Sequence, residues 1–539
     1  MILYFFKKHT RWAVALFFLT LLLIGLLTIG GYGRAWDDLS EMRILRMALK
    51  EYDSLLPFDT SYSAYLQGID LPRISESVER DHGICMYYPL FWAFASDSFS
   101  TSQLTFIWRC HTWCIFTLGL FALYAVARRM GLSRLMSCAA VLILFLSPRF
   151  FAEGHYNNKD IPLMALVLVL LWQTARMMEK PTWYRGIWFA LCAGLCASTR
   201  VIGVAFCGLF GLGLVLHLYF TRRLDRRTIG TGVGIIIASV LFYMLFTPSF
   251  LADPSAFVEY VLKNAVGFSR WHGNILYFGD IISCASTKPP RSYLPVFIAI
   301  TTPIWALVLF VSGCIFLCRH LWLSRRTFPM DSSAVLSAAA FLSWLRTLTG
   351  MIDIRALVYN GWRHAYFLYG PMVLCMAYGL NTLYEKASQR VFLRRLLTGC
   401  LAACMTFSAV GIALNHPYQY AYYNALVPNE NRASRFEPDW WNLSCANALE
   451  QLLDQTEGPI TIGAGDTLTQ SGLYLSINHV SQQERLDPVR LEEGRQPQYV
   501  ISNLGYAAIS HFEPTPDMTP VITISSYGSP VTIIYERSE

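Results

Sequence analysis

Three carboxylates stand where an apolar chain meets water. Asp37 and Asp38, in Arg34-Ala35-Trp36-Asp37-Asp38, follow an apolar run from Trp12 to Gly31 that is long enough to cross a bilayer. Asp160 closes the loop Glu153-Gly154-His155-Tyr156-Asn157-Asn158-Lys159-Asp160, just ahead of another such run. Charge at the edge of lipid is costly, so acidic residues kept there point to work. A carboxylate so placed can take a proton from a hydroxyl that is about to attack.

Cations that would complement this chemistry sit in the short turns on the same side: Arg149, Lys159, Arg200, Arg355 and Arg363, with His364 adjacent to the last. Arg200, in Ser198-Thr199-Arg200-Val201, has no other charge near it in sequence and needs an anion. A structural ion pair with one of the acidic loops would supply one. So would a phosphate, because a guanidinium matches phosphate geometry. Arg363-His364 opens a further apolar run and admits the same two readings; a lone histidine at a helix end is usually only a polar anchor. Cations of this kind can hold a phosphate that leaves with negative charge. A sugar carried on a membrane lipid phosphate is a substrate that needs both the base and the cations.

Local structure accounts for part of this set. Asp38-x-x-Glu41 ahead of an amphipathic stretch, Leu39 to Leu49, reads as a capping box, with the stretch lying flat on the membrane. Asp37 has no such role. Pro162 suits a first helical turn, and Asp160 could cap it. Capping does not explain why Glu153, His155, Asn157, Asn158 and Lys159 crowd into one loop.

The elements that must position these residues are membrane spans. Of 539 residues, 54% are hydrophobic and 15% charged, a balance that excludes a soluble protein and indicates a polytopic α-helical one. Eleven spans can be drawn, at 12–31, 104–127, 135–148, 161–178, 186–198, 201–220, 229–248, 293–317, 332–350, 365–384 and 396–414. The first, lacking a small-residue cleavage site, reads as a retained helix rather than a signal peptide. With eleven spans, Lys7, Lys8 and Arg11 fall on one side with the loops carrying Arg128, Arg129 and Arg134; Arg176, Lys180 and Arg185; Arg222, Arg223, Arg226 and Arg227; Arg319, Arg325 and Arg326; and Lys386, Arg390, Arg394 and Arg395. The positive-inside rule makes that side the cytoplasm, with the C-terminus outside. The net charge of +7 is therefore a topology signal and not a nucleic-acid one. Residues 1–415 form the membrane domain, with long outer loops at 34–103 and 249–292; Trp271, Tyr277 and Phe278 in the second suit an interface. Residues 416–539 read as a small outer α/β domain, with a helix from Leu443 to Leu453, strands near 460–462 and 499–501, and a hairpin around Gly528. The 14 cysteines lie mostly in apolar spans and show no metal-binding spacing.

The sequence resembles the GT-C superfamily, and within it the bacterial proteins similar to protein O-mannosyltransferases, which are phospholipid-carrier-dependent glycosyltransferases related to family 39. The resemblance is carried by Trp36-Asp37-Asp38, by Gly154 to Pro162, by Ser292-Tyr293-Leu294-Pro295, by Gly361-Trp362-Arg363-His364 and by His416-Pro417-Tyr418-Gln419-Tyr420-Ala421-Tyr422-Tyr423-Asn424, and extends to about residue 453. It implies a GT-C fold of about eleven transmembrane helices in a bacterial inner membrane. It further implies inverting transfer, on the periplasmic face, of a hexosyl or pentosyl unit from a polyprenyl-phosphate donor to a hydroxyl acceptor on a protein, lipid or glycan. By the same resemblance Asp37 is the base, with Asp38 beside it where the family more usually has Glu. Asp160 organises the site, or, with Asp37, a divalent metal where one is used. His155, Asn157, Asn158, Lys159, Arg200, Arg363 and His364 are the expected phosphate and sugar ligands. A lipid-linked glycan ligase or polymerase would need a large outer loop late in the chain, and a flippase or transporter would need buried mid-span charge and internal symmetry; neither pattern is visible.

Overall fold

The computed structural model describes residues 10–56, 61–266, 273–429, 432–465, 467–490, 496–505 and 513–538. Lys7, Lys8 and Trp271 lie outside the described residues. Every expected span is helical, and eight of the described helices are long and apolar enough to cross a membrane: Arg11–Gly31, Thr101–Arg129, Asp160–Glu179, Ile202–Phe220, Arg226–Leu245, Ile304–Leu323, Ser332–Asp353 and Val391–Leu414. Arg134–Phe145, Trp183–Thr199 and Tyr369–Lys386 complete the bundle as shorter or less apolar helices. Helix Asp160–Glu179 lies at its centre, with almost every residue buried.

The span expected at 293–317 is two helices, Tyr293–Thr301 and Ile304–Leu323. Pro303 has no N–H to continue the ladder, so the chain breaks there and leaves carbonyls without helical partners. Asn424 supplies them: its amide donates to Ala299 O and Thr302 O, both at 2.7 Å, and its backbone N–H donates to Ile300 O at 2.8 Å. The last residue of the His416-to-Asn424 motif thus has a structural task.

Three of the basic loops assigned to one side, those carrying Arg129, Arg185 and Arg223, meet at one end of the helices. Arg129 pairs with Glu179, Arg185 reaches Arg176 and Glu179, and Arg223 donates to Met178 O. The loops that carry Asp37, Asp160, Arg200 and Arg363 meet at the opposite end.

At that end the first outer loop is largely helical. Helix Asp38–Leu55 packs Met42, Leu45 and Ala48 onto Ile84, Tyr87, Phe94 and Trp108, so protein rather than lipid covers its apolar face. The loop 249–292 holds helix Pro254–Val266 and a hairpin, β1 (Asn274–Tyr277) with β2 (Asp280–Ser283). It turns through Phe278 and Gly279, both at positive φ, the geometry of a tight hairpin.

The chain after the last span first crosses the mouth of the bundle, over 416–429 and 432–442, and then forms a sheet of order β4-β3-β5-β7-β6. β3 (Ile460–Ala464), β4 (Leu486–Val489) and β5 (Tyr499–Asn503) are parallel; β6 (Met518–Ser526) and β7 (Ser529–Arg537) form the hairpin, turning at Tyr527-Gly528. Helices Leu443–Gln455 and Thr467–Ile477 accompany it. β4 escapes sequence detection because Pro488 sits in it, at the sheet edge where a missing donor is tolerated.

Two spans approach through glycine: a Cβ on Gly379 would stand 2.7 Å from Gly313 Cα and 2.9 Å from Leu309 O, whereas one on Gly399 would meet nothing within 4 Å. Small residues are the usual means of close helix contact in lipid. Gly379→Ala should therefore cost about 1–3 kcal/mol through overpacking and lower the unfolding midpoint of the detergent-solubilised protein. Gly399→Ala should leave the midpoint unchanged or raise it.

Candidate active site

Adjacent residues in a helix point about 100° apart, and this separates the two aspartates that open helix Asp38–Leu55. Asp38 turns inward. Its carboxylate accepts from Ala35 N at 3.2 Å and pairs with Arg109 at 3.0 Å, where the two side chains are 2% and 5% exposed. Arg109 also donates to Tyr32 O and Gly33 O. Asp38 is therefore no capping-box residue: it ties the first loop to helix Thr101–Arg129, away from the open face. The lone arginine two turns into that span was the available signal for it.

Asp37 turns outward. It is 39% exposed and accepts from Arg363 Nη1 at 2.9 Å. Arg363 lies over the Trp441 ring at 4.7 Å and also feels the charge of Asp160. Trp441 O in turn accepts from Trp36 N at 3.1 Å, so the segment 416–442 clamps the loop that presents Asp37.

Asp160 begins its helix but does not cap it. Asn157 does, accepting from Asp160 N at 2.9 Å. Asn157 Nδ2 bridges two carboxylates, donating to Asp160 at 3.2 Å and to Glu153 at 2.8 Å. Glu153 is fully buried and accepts also from Tyr366 OH; burial pushes its carboxyl up to about 7 despite these bonds. The other oxygen of Asp160 pairs with Arg200. Tyr359 feels the charges of Arg363, Asp37, Arg200 and Asp160 alike, which locates the four together.

Beside them Lys159 donates to His82 Nδ1 at 3.2 Å, and His82 Nε2 lies 2.8 Å from Glu41. Burial, with the charge of Arg200 added, lowers Lys159 to about 8. Burial alone would raise Glu41; the His82 ring outweighs it, aided by Lys159 and Asn158, and brings the carboxyl down to about 2. His364 is held neutral by burial first and then by Arg200, Arg363 and Lys159. Glu79, His82 and Glu437 did not stand out in the sequence, because each sits in an ordinary polar stretch of a long loop or tail, and Glu41 stood out only as a capping residue, a role it does not have. Glu437 accepts from Asn360 at 3.2 Å, and burial raises it to about 7.

His155 faces elsewhere. It stacks on Trp113 at 4.2 Å, with Nδ1 against Phe151 O and Nε2 3.1 Å from Thr28 Oγ1, so it fastens its loop to the first span, not to the carboxylate–cation cluster. Arg149 and Arg355 are likewise apart from the cluster. Arg149 lies between Tyr423 and Trp440 and donates to Tyr422 O, and Arg355 donates to Pro289 O.

The arrangement has a surplus of donors. Among the described residues Arg200 Nε and Arg363 Nε are buried without hydrogen-bond partners, while Arg363 Nη1 donates to one oxygen of Asp37. Such a pair of guanidiniums beside a lysine suits an anion with several oxygens. A metal fits less well: both Asp37 and Asp160 are already engaged by guanidiniums, and among the described residues no group of three His, Cys, Asp or Glu side chains could hold a metal ion.

No family model matches the sequence, and no curated protein does. Solved structures are similar to it from end to end at low identity. The crystal structure of ArnT from Cupriavidus metallidurans bound to undecaprenyl phosphate superimposes with a TM-score of 0.48, at 13% identity, over 97% of this chain and 98% of that one. The same protein in the apo state gives 0.47 at 13% identity, over 98% of each chain. The cryo-EM structure of the arabinofuranosyltransferase AftD from Mycobacteria gives 0.39 at 13% identity, over 98% of this chain and 40% of that one. The chemistry of the site is carried by its residues.

The two aspartates should separate by experiment. Arg109→Ala strands a buried carboxylate and should cost about 3–5 kcal/mol, seen as a large fall in unfolding midpoint. Asp37→Asn, at a partly exposed pair, should change stability by less than about 1 kcal/mol.

Proposed function

We propose that this protein is a membrane glycosyltransferase that moves a sugar from a polyprenyl-phosphate donor to a hydroxyl acceptor. The reaction takes place at the end of the bundle where Asp37, Asp160, Arg200 and Arg363 meet, on the periplasmic side of a bacterial inner membrane. The observation that carries the reading is that Arg200 and Arg363, facing one site, each keep a buried Nε donor unsatisfied, flanked by Lys159 and a partly exposed carboxylate.

In the resting arrangement Asp37 is held by Arg363. A donor phosphate draws Arg363, Arg200 and Lys159 onto its oxygens and frees the Asp37 carboxylate. Asp37 then removes the acceptor's hydroxyl proton as that oxygen bonds to the anomeric carbon. The bond from that carbon to the phosphate oxygen breaks, and the electron pair leaves on the phosphate, where the three cations stabilise it. Attack and departure on opposite faces invert the sugar. Asp160, fixed by Asn157, keeps Arg200 in place without reacting itself. His364, neutral beside the cations, can accept or donate a hydrogen bond to the sugar without adding charge.

The test is transfer in proteoliposomes supplied with a panel of undecaprenyl-phosphate sugars and a membrane extract as acceptor. Wild type should consume one donor class. Asp37→Asn should lower kcat by about 10²–10⁴ while donor binding is kept or tightened, since the carboxylate no longer competes for Arg363, whereas Arg200→Ala should weaken donor binding. Equal consumption by wild type and Asp37→Asn would move the base elsewhere. Lipid crossing the bilayer with no sugar transferred would identify a flippase, and consumption of lipid diphosphate donors only would identify a ligase or polymerase.

A further inference from the structure

The contacts of His82 are of two incompatible kinds. Its Nδ1 lies 3.2 Å from Lys159 Nζ and 3.1 Å from Glu79 Oε2. An ammonium can only donate and a carboxylate can only accept, so one ring nitrogen cannot serve both at once. With Nδ1 bare, it accepts from Lys159 while Nε2–H donates to Glu41. With Nδ1 protonated, it donates to Glu79, and the ring and the ammonium repel.

We propose that His82 is a positioning residue for Lys159: unprotonated it retains the lysine, and protonated it turns to Glu79 and releases the lysine to the donor phosphate. This rests on the reading of Arg200, Arg363 and Lys159 as phosphate ligands. The groups facing the ring are Glu41 from helix Asp38–Leu55, Glu79, Arg80 and Asp81 from its own loop, and Lys159 from the turn opposite, on which Arg200 acts in turn. Burial works against the charged ring, and Glu41 more than offsets it, raising His82 above its usual 6.5. The ring is 11% exposed and lines a small crevice with Arg80, Asp81, Tyr243 and Phe257, which gives protons a route to it. The sign follows. At pH below the raised His82 value Lys159 is free and phosphate is bound more tightly; as pH rises through it Lys159 is withdrawn and affinity falls.

The experiment measures binding of undecaprenyl phosphate to the full-length protein in nanodiscs between about pH 6 and pH 8.5, comparing wild type with His82→Asn. Ionisation of the lipid phosphate acts on both proteins equally, so the ratio of their affinities is the readout. We expect wild-type affinity to fall about tenfold relative to His82→Asn as pH rises, the scale of one hydrogen bond to a charged group. Glu79→Ala, which removes the acceptor for the protonated ring, should flatten the dependence in the same way and serves if His82→Asn fails to fold. Parallel pH curves for wild type and both variants, with binding intact, would overturn the role of His82 alone. No binding of undecaprenyl phosphate by wild type at any pH would overturn the phosphate reading, and this proposal with it.

Discussion

The pairing of carboxylates with guanidiniums drawn from different loops, at the edge of lipid, is the interaction on which the rest depends. Removing either partner from water costs several kcal/mol per ion, so no single loop could keep its charge there unassisted. Asp38 with Arg109, Asp160 with Arg200 and Asp37 with Arg363 each join segments far apart in the chain. The three differ in how far they are closed. The Asp38 pair is sealed and further bonded to backbone, which makes it permanent. The Asp37 pair is open to solvent on its acidic side, which makes it exchangeable for a ligand. One charge chemistry thus gives a fastening and a reacting group at neighbouring positions.

The segment 416–442 explains how so much polar backbone is accommodated at that end. Asn424 satisfies the carbonyls freed by Pro303, Trp441 holds the first loop through Trp36, and the Trp441 ring covers Arg363. Irregular backbone at membrane depth is stable only when other protein groups take its hydrogen bonds. This crossing segment is therefore part of the site rather than a linker to the sheet beyond it.

The spans were legible because hydropathy over twenty residues is a strong signal. The break at Pro303 was visible as a residue but not as a consequence, since its compensation comes from residue 424. In the site, Asp37, Asn157, Asn158, Lys159, Asp160, Arg200, Arg363 and His364 could be singled out because charge or amide is conspicuous beside apolar runs. Asp38 and His155 share that conspicuousness yet face inward, because helix rotation in one case and packing on Trp113 in the other decide direction, and neither is written in local composition. Glu79 and His82 were hidden, and Glu41 was given a capping role, for the opposite reason: among the many polar residues of a long loop, only the folded path shows which reach Lys159.

The account turns on a lipid phosphate taking the place that Asp37 now occupies on Arg363. A structure determined with undecaprenyl phosphate bound would test this most directly. The account predicts the phosphate within hydrogen-bond distance of both Arg363 and Arg200, with Asp37 released towards the opening. A phosphate seated elsewhere, with the Asp37–Arg363 and Asp160–Arg200 pairs unchanged, would contradict it.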